Sequence, residues 1–138
     1  MKKTLLLLCS ILILGVSACT KTEYIDRTNP NRTVIFNIQS SDWRSTDGGV
    51  TWNFETDQIP EIDNLILTSG TVLADISFED GIWIPLNTVK AGVSYRFDYS
   101  DSYILVQAQY SGGFEDDILP RPAAGTLKVL LFDSQLVD

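Results

Sequence analysis

The chain reads as an all-β protein: an antiparallel β-sandwich of seven or eight strands, immunoglobulin-like or jelly-roll-like, set behind a short apolar leader. Three observations predict this. From Thr33 onward apolar residues keep a period near two. Turn signals containing Gly or Asp recur at intervals of roughly 8 to 12 residues. Past the leader, no apolar face recurs at helical spacing for more than a turn.

The leader comes first in the chain. Lys2-Lys3 precedes an apolar run from Leu5 to Val16, and Val16-Ser17-Ala18-Cys19 closes it. This is the layout of a bacterial lipoprotein signal peptide. Small residues ahead of the cysteine fit a peptidase pocket, and the Cys19 thiol is the nucleophile that takes a diacylglyceryl group before cleavage. The run of about a dozen apolar residues falls short of the ~20 that span a bilayer. The expected organisation is therefore a signal peptide over 1–18, a lipidated tether over 19–32 and a β-sandwich over 33–138. Several acyl chains on Cys19 exceed the two-signal threshold for stable anchoring, so the expected first partner is a membrane, reached through lipid. The tether, Thr20 to Arg32, is polar, ends in Asn29-Pro30-Asn31 and shows no periodicity.

The strands follow in order. Val34, Phe36 and Ile38 alternate with Ile35, Asn37 and Gln39, and Val50, Trp52 and Phe54 alternate with Thr51, Asn53 and Glu55. Leu65–Thr68 and Thr71–Glu79 read as two strands joined by Ser69-Gly70. Asp80-Gly81, read as a tight primed turn, leads into Ile82–Leu86. In the long strand Val72, Ala74, Ile76 and Phe78 share a core face, while Leu73, Asp75, Ser77 and Glu79 share a mostly polar one. Pro85 marks an edge or a strand end. Tyr95, Phe97 and Tyr99 lead through Ser100-Asp101-Ser102 into Tyr103–Tyr110, and Thr126–Asp133 closes the domain with Leu127, Val129 and Leu131 in phase. Ser111–Gly125, with Gly112-Gly113, Pro120 and Pro122, reads as the crossover between sheets, and long loops also carry recognition.

Composition narrows the chemistry. Removing residues 1–18 leaves 120 of the 138 residues, one ordinary domain, and takes the net charge from −8 to −10 with the loss of Lys2 and Lys3. A polyanion without a basic cluster repels phosphate backbones, so nucleic acid is not an expected partner. The chain has no histidine, and its two cysteines, Cys9 and Cys19, fall in the signal and at the anchor. The domain then lacks Ser-His-Asp and Cys-His machinery and the usual ligands of catalytic zinc.

Three constellations remain. Carboxylates gather in turns: Asp42 with Asp47, Glu79 with Asp80, Asp98 with Asp101, and Glu115-Asp116-Asp117 in the crossover loop. Their convergence at one end of a sandwich would suit Ca²⁺, although none has the spacing of a known calcium loop, and no cofactor is otherwise expected. A carboxylate pair could serve a glycoside hydrolase, a remote alternative for a domain too small to enclose a substrate groove. The aromatic residues are the third group. Trp52 is in phase with Val50 and Phe54 and belongs to the core. Trp83 is out of phase with Ile82 and Ile84, which makes it the expected exposed ring. Trp83 and Trp43, with Glu115, Asp116 and Asp117, are the candidate ligand-binding residues, and no catalytic residue is expected.

Cys19, Ser40-Ser41-Asp42-Trp43, Gly70-Thr71-Val72-Leu73, Trp83 with Pro85-Leu86, and Tyr95-Arg96-Phe97 together resemble small uncharacterised lipoproteins of Bacteroidota with a lipobox and one all-β domain. Some members carry a collagen-like Gly-Pro segment after the cysteine, where this chain has its polar tether. The resemblance implies an outer-membrane address, facing either the periplasm or the cell surface, and lends no catalytic residues. The expected function is non-enzymatic binding or adhesion toward a protein or glycan. The alternative is a structural or assembly accessory that docks to an outer-membrane complex by edge-strand pairing.

Overall fold

The computed structural model describes residues 31–112 and 117–133. Eight strands form two antiparallel four-stranded sheets, the β-sandwich that the periodicity predicts. The strands are β1 (Arg32–Ile38), β2 (Thr51–Thr56), β3 (Thr71–Glu79), β4 (Ile82–Pro85), β5 (Thr88–Lys90), β6 (Val93–Ser100), β7 (Tyr103–Tyr110) and β8 (Gly125–Phe132). One sheet has the order β1-β8-β3-β4 and the other β2-β7-β6-β5. β1 and β2 lie in opposite sheets, whereas the first two strands of an immunoglobulin domain share one. The first strand thus lies beside the last, and the chain passes between the sheets after β1, β2, β4 and β7.

Alternate residues of each strand face inward and meet in one core. Ile38, Val72, Ala74, Ile76, Leu127, Val129 and Leu131 come from the first sheet; Phe54, Ile104, Val106 and Ala108 come from the second. The crossover loop passes from β7 in one sheet to β8 in the other, as a sandwich requires. Its described half is stitched down. Leu119 N–H donates to the Gly49 carbonyl at 2.9 Å, and the Ser40 hydroxyl donates to the Pro122 carbonyl at 2.7 Å.

Four sequence expectations change. Leu65–Thr68 lies in a short helix, α1 (Asn64–Ser69), rather than a strand, because Asp63 caps it: its carboxylate accepts from the Leu65 and Ile66 amides, both at 3.0 Å. Thr88–Lys90 forms a separate short strand, which turns back through Ala91 and Gly92, both at positive φ (52° and 78°), the pair a type I′ turn requires. At Asp80-Gly81 only Gly81 has positive φ, 79°, so that turn is not a primed type I′ turn. The fourth change is Trp43, described below.

β3 also departs from strict alternation. Ile76 pairs with Ile84 and Glu79 with Ile82, so two β3 residues oppose one on β4 and a bulge forms at Ser77–Phe78. Ser77 turns inward to 7% exposure and donates from its hydroxyl to the Glu79 carbonyl at 2.6 Å. The residue of β4 opposite this bulge is Trp83.

Candidate functional site

Trp83 is exposed at 38%, as its phase predicts, because the flanking Ile84 points into the core at 7%. Its ring does not stand alone. Lys128 on β8 places Nζ 4.1 Å from the ring centroid and 2.8 Å from Asp75 Oδ2 on β3. Register makes this possible, since Asp75 pairs with Lys128 on one side and with Pro85 on the other. A charge held against both a ring and a carboxylate fixes the indole face in place. The ion pair is partly shielded, with side-chain exposures of 24% and 21%, and as a near-surface pair it contributes under about 1 kcal/mol.

The outer face of the β1-β8-β3-β4 sheet also exposes large apolar side chains. Ile35 pairs with Lys128, and Leu130 lies between Thr33 and Leu73 in the next row. Ile35 is 55% exposed and Leu73 50%, high values for large apolar residues on neighbouring rows of one sheet. Large apolar residues exposed on one sheet face mark a contact site more often than singly scattered ones do. The outward phases of Ile35 and Leu73 were legible in the sequence. Their placement on one sheet face was not, because it needs β8 to insert between β1 and β3.

The opposite outer face is polar. Gln107 Nε2 donates to Asn53 Oδ1 at 3.0 Å, and Arg96 is the next residue in the same row. Tyr103 donates its hydroxyl to Glu55 Oε2 at 2.8 Å, and that bond raises the phenol's pKa. Between the edge strands β4 and β5, an open cleft of about 330 Å³ is lined by Phe78, Ile82, Ile84, Val93 and Tyr95, with Lys90 at its rim. Tyr95 packs on Phe78 with centroids 5.9 Å apart, and burial raises its pKa.

The other candidates fare differently. Trp43 is 1% exposed, packs against Phe54 at 6.2 Å and keeps its Nε1 without a hydrogen-bond partner. It is a core residue and offers no face to a ligand, because the 3₁₀ turn Ser40–Asp42 ahead of it directs the indole between the sheets. Asp117 is exposed in the crossover loop, while Glu115, Asp116 and Cys19 lie outside the described residues. Trp52 is half-buried, as its phase predicts: Nε1 donates to the Leu119 carbonyl at 2.8 Å and the Arg121 guanidinium sits 5.0 Å above its ring.

Carboxylates in the first turns hold local backbone. Asp42 Oδ2 accepts the Gln39 amide at 2.7 Å. Asp47 Oδ1 accepts the Thr51 amide at 2.9 Å and the Ser45 hydroxyl at 2.7 Å. Those bonds, the Thr51 amide foremost, lower the Asp47 pKa to about 2. Among the described residues no three acidic, histidine or cysteine side chains converge as a metal site would need. No described helix is long and apolar enough to cross a membrane. Compared with protein-family models, curated proteins and solved structures, the chain matches none.

Proposed function

We propose that this chain is a non-enzymatic binding domain, carried by a membrane-anchored lipoprotein of the bacterial cell envelope, that engages a protein partner through the outer face of its β1-β8-β3-β4 sheet. The observation that carries the reading is the ordered tryptophan of that face. Trp83 is exposed and braced by Lys128, and Leu73 and Ile35 are exposed on the same sheet. Exposed aromatic rings with a charged residue beside them are what protein interfaces use as anchors. The absence of histidine from the sequence and the lipobox ending at Cys19 supply the rest: chemistry is unsupported and an envelope address is encoded. Outer-membrane placement follows from that address, on either the periplasmic or the external side.

A glycan is the second reading, favoured by the amide and guanidinium row Asn53, Gln107 and Arg96 on the other sheet, which suits hydroxyl groups. Affinity capture from the native envelope, run beside glycan arrays, distinguishes the two. The first reading predicts a protein retained by the wild-type chain and lost with Trp83→Ala or Leu73→Asp, with thermal stability of both variants held within about 1 kcal/mol because both sites are exposed. Retention unaffected by either variant, or nothing above background in both assays, rejects it.

A further inference from the structure

Four strands form the edges of the two sheets, and three of them are defended. β4 has four residues and ends in Pro85. β5 has three residues, and just ahead of its first residue the Asn87 side chain accepts the Phe97 amide at 3.2 Å. β2 is covered where Arg44 and Asn53 exchange backbone bonds of 2.8 and 2.7 Å. Such devices keep a sheet from pairing with another chain. β1 has none. It runs seven residues without a bulge or a proline, pairs with β8 along its whole length, and among the described residues receives no backbone hydrogen bond on its other side. Its one charged residue is Arg32, at the end of the strand, whose guanidinium already donates to the Glu61 carbonyl at 3.2 Å.

We infer that β1 is a self-pairing edge: two copies of this chain join antiparallel, β1 to β1, about a twofold axis through Ile35, and fuse their sheets into one of eight strands. The sequence of β1 fits its own reverse. With Ile35 opposite Ile35, Val34 meets Phe36 of the second copy on the core side, and Thr33 meets Asn37 on the outer side. These central pairs match in polarity, and at each end of the paired strands Arg32 meets Ile38. Val34 and Phe36 are only half-buried in the single chain, and their open flanks are what the second copy would cover. No acidic side chain lies in the strand of this strongly acidic protein, so pairing sets no like charges opposite one another.

The test is sedimentation equilibrium of the full chain in detergent, comparing Ile35→Lys with Leu73→Lys, two exposed positions on one sheet face. The wild-type chain and Leu73→Lys dimerise, whereas Ile35→Lys, which sets two ammonium groups directly opposite across the axis, weakens the dimer about tenfold or more. A wild-type chain that stays monomeric, an Ile35→Lys dimer as tight as wild type, or equal loss in both variants overturns the inference. Amide hydrogen exchange on the wild-type chain is the second readout, independent of any variant. Exchange in β1 slows as concentration rises while that in β5 does not; exchange in β1 that ignores concentration contradicts the pairing.

Discussion

At the residue scale, phase along a strand decided most side-chain positions correctly. Trp52 and Trp83 lie where alternation puts them, half-buried in the core and exposed. Trp43 escaped that logic because it sits in no strand. A 3₁₀ turn precedes it, so its direction depends on how residues 39–50 wrap the β2 edge, and no local period encodes that. The same segment yields a pH prediction. Asp47 has a pKa lowered to about 2 from the usual 3.8, through the Thr51 amide and then the Ser45 hydroxyl. A depressed carboxylate contributes stability that is fully present above its unfolded pKa and is lost as pH falls through the folded one. Asp47 should therefore give the wild-type chain a drop in melting temperature between about pH 4 and pH 2 that Asp47→Asn lacks. Thermal melts of both at half-unit pH intervals check this; parallel curves across that window would show that the turn bonds stabilise nothing.

At the element scale, the strands with clear alternation were legible, and the misread pieces share one physical feature: they are too short for a period to register. α1 has six residues, of which only Ile66 is buried, and its Ile and Thr favour strand on propensity alone. What overrides propensity is the Asp63 cap together with Ile59, Ile62 and Ile66, all at 0–1% exposure, which need one turn of helix to reach the core together. Asp63→Ala should thus cost about 1 kcal/mol, in the range for N-cap loss, and a urea titration measures it. A cost near zero would mean that burial of the isoleucines alone holds the turn. The bulge at Ser77–Phe78 was hidden for a related reason. It depends on which β4 residue pairs with Glu79, and pairing is set across strands.

At the scale of the whole molecule, the two-layered all-β architecture and the sheet-to-sheet crossover followed from the sequence, but the order of strands did not. β8 inserts between β1 and β3, and only that placement gathers Ile35, Leu73 and the Lys128–Trp83 pair onto one face. The candidate site is thus a product of topology acting on residues whose individual exposure was foreseeable. The same topology leaves β1 at an open edge. On the proposed function, the exposed face and the β1 edge hold other molecules at a membrane to which lipid on Cys19 anchors the domain. Intact-mass spectrometry of the protein purified from its native envelope tests that account most directly. The account predicts a chain that has lost residues 1–18 and gained a diacylglyceryl group on Cys19, recovered with the membranes. A full-length or unmodified chain recovered in the soluble fraction would contradict it.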